Sequence, residues 1–266
     1  MIKICKLSIA VIILGCGILI GSSFIPFADK SLSTIKSSKD SNQTIPETTP
    51  KLVENVDLEG YVASEKQTEP ETVVNEVLLD VPLLNQMDSP RLYNGCEVTS
   101  LAMILNFKGI QVTKNELAQE IARVPLKYSN GNYGNPNFGF VGNMENGPGL
   151  GVFHGPIFDL ANKYDHGNVE DLTNQPFDLI LKKLAQGNPI WVITTTTFAP
   201  ISGLQTWQTP QGSVDITFKM HSVVITGYDP ENIYINNPYG NKNQKVNREN
   251  FIESWEQMGK QAIVIY

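Results

Sequence analysis

From Leu7 to Ile25 the chain runs for about 19 residues without a charge, dominated by Ile, Leu, Val and Gly and preceded by Lys3 and Lys6. The run reads as an export signal. It is longer than a usual signal-peptide core of about 7 to 15 residues and close to the roughly 20 that span a bilayer. Residues 1–28 are therefore expected to be a signal peptide or an uncleaved signal anchor. Cleavage near Ser23 or Ala28 is one rival; lipid attachment at Cys16 is another, disfavoured because Gly17 to Gly21 continues the apolar run. The positive flank stays inside, which places everything after Pro26 outside the membrane, anchored or secreted.

Residues 29–76 are rich in Ser, Thr, Glu, Pro and Lys and hold ten acidic against five basic side chains. They account for −5 of the formal charge of −7, so the remainder is nearly neutral. Few large apolar residues are present to offset the entropy of ordering, and the stretch reads as a disordered acidic linker. A flexible chain of that length has a root-mean-square span on the order of 35 to 45 Å. No Lys/Arg stripe occurs anywhere, which argues against nucleic acid as a partner. The overall balance, 41% hydrophobic and 18% charged, is ordinary for a globular domain and selects no function.

One domain is expected over residues 77–266. A compact apolar run from Val73 to Leu84 predicts a buried strand, ended by Asn85 and Gln86. Asn94-Gly95 predicts a turn, after which Cys96 opens a helix carrying Val98, Leu101, Ala102, Ile104 and Leu105. Thr113 and Glu116 form a capping box ahead of a second helix, which Pro125 ends. Residues 127–155, crowded with Gly, Asn and Pro, predict a long irregular stretch. Pro156 and Pro176 each suit the first turn of a further helix. Strand-like runs follow at Pro189 to Thr197, Ile216 to Gly227, Ile233 to Asn236 and Ala262 to Tyr266, with a short helix near Arg248 to Met258. Helices come first and strands dominate later, an α+β order.

Of three cysteines, Cys5 and Cys16 lie in the apolar segment and only Cys96 remains for the folded region. It has no partner there for a disulfide, and no Cys/His cluster suggests a metal site. Its plain reading is a small buried hydrophobe. The chemical reading is a nucleophile, because a helix N-terminus favours the thiolate through unpaired N–H groups and the dipole. Glu97 would oppose that if it turned inward, so it is expected to point outward. A thiol nucleophile also needs an imidazole. His221 opens the rigid strand-like run Met220 to Tyr228, whereas His154 ends the Gly-rich stretch and His166 sits in a turn-like Asp-His-Gly. An oxygen acceptor must then fix the imidazole tautomer, and Asn237, beside Pro238 after the next strand, is the candidate. Its plain reading is a turn-forming Asn before Pro. Gln86 could donate an amide N–H to an oxyanion, together with the backbone N–H of Cys96.

The motifs Val81-Pro82-Leu83-Leu84-Asn85-Gln86, Gly95-Cys96-Glu97-Val98-Thr99-Ser100-Leu101-Ala102-Met103, His221 to Asp229 and Asn236-Asn237-Pro238 together resemble the bacteriocin-processing peptidases that cleave double-glycine leaders. The resemblance is closer to the stand-alone exported relatives of Gram-positive bacteria. It implies a papain-like fold with N-terminal helices packed on a C-terminal antiparallel sheet. It also implies that Gln86, Cys96, His221 and Asn237 serve as oxyanion donor, nucleophile, base and orienting residue. No metal or organic cofactor is implied. Two departures stand out: Asn237 replaces the Asp usual in transporter-linked members, and no transporter domain follows, so processing during export does not carry over.

Exported peptide-bond hydrolysis by a monomer acting on a peptide or protein is the leading expectation, with membrane contact only through the N-terminal segment. Acyl transfer or amidase chemistry on the same thiol, or a catalytically inactive peptide- or cell-wall-binding module, are the alternatives. Phe138, Phe140, Phe153 and Trp207 are more simply core and loop packing. The functional version has Phe140 and Gly142 bordering a substrate groove, with Gly139 and Gly142 admitting an extended peptide backbone.

Overall fold

The computed structural model describes residues 75–266; the signal segment and all but the last two residues of the linker lie outside the described residues. In chain order the elements are β1 (Val77–Leu78), α1 (Cys96–Phe107), α2 (Lys114–Glu120), β2 (Arg123–Val124), β3 (Phe140–Gly142) and β4 (Gly149–Gly151). Then come α3 (His154–Tyr164), β5 (Val169–Asp171), α4 (Phe177–Ala185), β6 (Ile190–Thr195), β7 (Gln205–Thr209) and β8 (Gly212–Ile216). The chain finishes with β9 (Met220–Tyr228), β10 (Asn232–Asn237), β11 (Asn241–Asn247), α5 (Arg248–Gln257) and β12 (Ala262–Ile265).

A seven-stranded sheet organises the domain, in the order β11-β10-β9-β6-β12-β5, with β1 added to the far end of β9. Every pairing in it is antiparallel. Alternation along its central strands divides the core in two. Trp191, Ile193, Val224, Ile263 and Ile265 pack with Val98, Leu101, Ile104 and Leu105 of α1, Leu117 of α2 and Ile157 and Leu160 of α3. Ile190, Val192, Val223, Ile225 and Val264 pack on the opposite face with Phe177 and Ile180 of α4 and Phe251 and Trp255 of α5. Helices α1 to α3 thus cover one face, while α4, which also precedes most of the sheet in sequence, packs with α5 on the other.

Helix α1 is buried from Cys96 through Leu105, all round rather than along one stripe, as befits a helix clamped between the sheet and its neighbours. The capping box of α2 is present, with Glu116 N donating to Thr113 Oγ1 and Thr113 N to Glu116 Oε2. Pro176 proves to be the N-cap of α4, and α3 begins at His154, ahead of Pro156.

The expected strand Val73 to Leu84 shrinks to Val77–Leu78, paired with Tyr228 and Gly227. Leu79 N still reaches Thr226 O at 2.8 Å, but Pro82 has no donor and the chain leaves the sheet. Within the expected irregular stretch, β3 pairs with β2 and β4 in a small separate sheet. Hairpin β7–β8 forms a third.

Trp191 is fully buried at the centre of β6, and its indole N–H donates to the Glu97 carbonyl at 3.0 Å, tying the sheet to the first turn of α1. Trp191→Ala is expected to lower unfolding free energy by about 3–5 kcal/mol, read from the shift of a chemical denaturation curve at unchanged slope.

Candidate active site

Gly95, which carries no capping side chain, precedes Cys96 at the start of α1. Cys96 is 8% exposed, and the backbone N–H of Ser222 bears on its sulfur favourably to the thiolate, so the thiol lies near the peptide that links His221 to Ser222 on β9. Burial pushes this thiol well above its ordinary pKa, and the carboxyl of Glu97 adds to the effect. The expectation that the helix start would favour the thiolate is therefore corrected: desolvation and a neighbouring acid outweigh the N–H groups pointing at the sulfur.

Glu97 is also corrected. Far from pointing outward, it is fully buried, with Oε1 accepting from Val152 N at 3.1 Å and Oε2 without a hydrogen-bond partner. Burial raises its carboxyl to about 7.

His221 is 2% exposed, and burial lowers its imidazole to about 4 despite a compensating bond to Asn237. The neighbouring strands β9 and β10 present the two residues together, His221 Nε2 lying 3.0 Å from Asn237 Oδ1. Two further contacts determine the proton's position. The backbone N–H of Tyr239 donates to Asn237 Oδ1 at 3.1 Å, so that atom is the amide oxygen; Asn237 Nδ2 donates to Gln244 Oε1 at 2.9 Å on β11. Since Oδ1 only accepts, Nε2 carries the hydrogen and Nδ1 keeps a lone pair. The Tyr239 ring stacks on the imidazole at 5.0 Å and 14°, while Phe198 approaches it at 6.2 Å.

Gln86 is 1% exposed and brackets the site. Its backbone N–H donates to Pro238 O at 2.8 Å, and its carbonyl accepts from Leu92 N at 2.8 Å. The side-chain Nε2 donates to Leu92 O at 3.2 Å and Tyr93 O at 2.9 Å, leaving Oε1 buried without a partner. Both amide hydrogens are thus engaged with the loop that leads into Cys96.

The groove residues are not where sequence reasoning put them. Phe140 is fully buried in the core beside α1, so it lines no groove. Gly139 and Gly142 do admit a close backbone, but it is the chain's own: a Cβ at Gly139 would lie 2.7 Å from Ala122 O, and one at Gly142 2.5 Å from Pro148 O. Trp207 stacks on Tyr133 at 4.2 Å, and Phe153 is buried. His154 pairs with Asp171 at 2.6 Å and borders a separate surface cavity of about 290 Å³. His166 is exposed in a turn. Among the described residues, no group of three or more His, Cys, Asp or Glu side chains converges on a common point.

Gln244 and Tyr239 escaped sequence reasoning, and Glu97 entered it only as a charge expected to point outward. Only Glu97 carried a signal, as a charge inside a helix that is apolar or small at nearly every other position through Leu105.

The antiparallel sheet with helices on both faces is an α+β fold of the papain-like kind. Residues 78–263 match the Peptidase_C39 like family, and the chain belongs to it. It is 57% identical over 187 residues to the uncharacterized protein YvpB of Bacillus subtilis (strain 168), an alignment covering 70% of this chain and 75% of that one. The crystal structure of a C39-like peptidase candidate from Bacillus anthracis superposes with a TM-score of 0.70 at 44% identity, covering 73% of this chain and 98% of that one. Among the described residues no helix is long and apolar enough to cross a membrane.

The shifted groups make stability depend on pH in opposite senses. A raised carboxyl favours the folded state fully below its unfolded pKa, and that contribution is lost as pH rises through about 7 for Glu97. A lowered imidazole contributes above its unfolded pKa, and its share is lost as pH falls towards about 4 for His221. Glu97→Gln should therefore gain on the wild type by an order of 3 kcal/mol between pH 4.5 and 8, measured by urea denaturation across that range.

Proposed function

We propose that this chain is an exported cysteine peptidase that hydrolyses peptide bonds, with Cys96 as nucleophile, His221 as general base and Asn237 as the residue orienting the imidazole. The observation that carries the reading is the 3.0 Å bond from His221 Nε2 to Asn237 Oδ1, on a strand whose His221–Ser222 peptide lies near the Cys96 thiol. Membership of the C39-like family supports the same chemistry.

The resting pair is neutral thiol and neutral imidazole, because burial disfavours either charge. The thiol proton passes to His221 Nδ1 as the sulfur attacks the substrate carbonyl. Asn237 Oδ1 stabilises the imidazolium that forms, and the imidazolium then protonates the leaving amine. Water, deprotonated by the same ring, hydrolyses the thioester. The oxyanion is received by the backbone N–H of Cys96 and by Gln86 Nε2, which exchanges its bond to Leu92 or Tyr93 for one to the oxyanion.

The charge-free N-terminal run supports placing the domain outside the membrane, anchored or secreted, where a monomer would meet peptide or protein substrates. Leader processing coupled to transport forms no part of this reading.

Cys96→Ala is expected to abolish cleavage of a mixed peptide library followed by mass spectrometry. His221→Ala, comparably folded, should slow iodoacetamide alkylation of Cys96 at neutral pH by about a hundredfold. Equal alkylation rates would remove the thiol and imidazole pair. A library conjugated to an added amine instead of hydrolysed would replace peptidase with acyl transfer on the same thiol.

A further inference from the structure

Glu97 is a buried acid next to the proposed nucleophile, and four features of the fold hold it there. Val152 N binds Oε1, and the Trp191 indole binds the Glu97 carbonyl. Gly151, at φ +136°, leaves the space that any side chain would fill, since a Cβ there would lie 2.2 Å from Glu97 Oε1 and 2.2 Å from Met220 Cε. The thiol of Cys96 borders the carboxyl, and each shifts the other's protonation.

Among the described residues no countercharge bears on the carboxyl. From Val152, just after β4, the carboxyl meets a backbone N–H; Met220 of β9 and the Glu97 carboxyl crowd the same space beside Gly151; and from β6 the indole holds its backbone. The titratable groups bearing on it are Cys96 of α1 and Tyr239 from the turn after β10, whose phenol is pushed up first by burial and then by Cys96, Tyr93 and Glu97. An ionised carboxylate in this setting, with one oxygen lacking a partner, is strongly disfavoured by the loss of its hydration. A purely structural role at this position would be met by an uncharged residue.

We propose that Glu97 is a positioning residue whose protonation state controls activation of Cys96. As a neutral acid it donates its O–H to the sulfur while the thiol proton moves to His221 Nδ1, so the developing thiolate gains a hydrogen bond. As a carboxylate it places a second negative charge against the sulfur and holds the thiol protonated. No proton is lost in the first case: one moves from sulfur to imidazole while that of Glu97 stays on its own oxygen. The inference rests on Cys96 acting as nucleophile.

The carboxyl titrates near 7, so activation is favoured below that pH and suppressed above it. This opposes the ordinary rise of thiol reactivity with pH.

The test is the iodoacetamide rate at Cys96 between about pH 5 and 9 in wild type and Glu97→Gln, each also with His221→Ala. Gln keeps an oxygen for Val152 N and can present an N–H to the sulfur, but it does not titrate. Below about pH 6 the two single-background rates should agree within about twofold; above about pH 8 Glu97→Gln should exceed wild type by about tenfold. Superimposable profiles, or a variant slower at every pH, would overturn the proposal.

Infrared titration of the wild type decides independently of how the variant folds. A buried carboxylic acid band that vanishes with a midpoint near 7 supports the proposal, and no such band at pH 5.5 overturns it. If His221→Ala leaves all rates unchanged while the Glu97 dependence persists, the catalytic reading fails and the carboxyl–thiol coupling stands.

Discussion

The docking of the first turn of α1 onto β9 is the contact on which the site depends. It places Cys96 against the His221–Ser222 peptide, and the Trp191 indole fixes it from β6. Because that docking is dry, it decides the electrostatics: a helix start would ordinarily favour a thiolate, but removing the sulfur and the imidazole from water is the larger effect. The result is a thiol and an imidazole both held uncharged, in contrast to a preformed ion pair. The same burial makes Glu97 a weak acid where a surface glutamate would be ionised.

Precision in the site comes from amides. Asn237 is held by Tyr239 N and Gln244, and its oxygen fixes the imidazole proton on Nε2. Gln86 ties the segment after Asn237 to the loop before Cys96 through two backbone and two side-chain bonds. Such groups keep one geometry across a wide pH range, since none of them titrates. Stacking of Tyr239 on the imidazole closes the other side of the ring and keeps it dry.

Where a local pattern coincided with the tertiary environment, the fold was legible. The capping box at Thr113, the apolar strands β6, β9, β10 and β12, and the helix opening at Cys96 all follow from spacing of apolar residues between turn formers. Polar strands were missed because they offer no such spacing: Asn241–Asn247 forms β11 on backbone pairing with β10, and β7 and β8 pair chiefly with each other. The pairing of His221 with Asn237 was legible because adjacent strands bring their ends together. Phe140 misled because an aromatic residue between glycines suggests an exposed loop, and only tertiary packing buries it. Glu97 misled because charge argues for exposure unless its specific partner, here the backbone N–H of Val152 just after β4, is known.

The central claim is that the resting site is uncharged, with the imidazole proton on Nε2. Nitrogen-15 chemical shifts of His221 in the full-length protein at neutral pH test it most directly. The account predicts a neutral ring with Nε2 protonated and Nδ1 bare, persisting as pH falls well below the ordinary histidine range towards about 4. A ring protonated on both nitrogens at neutral pH, or one carrying its hydrogen on Nδ1, would contradict it.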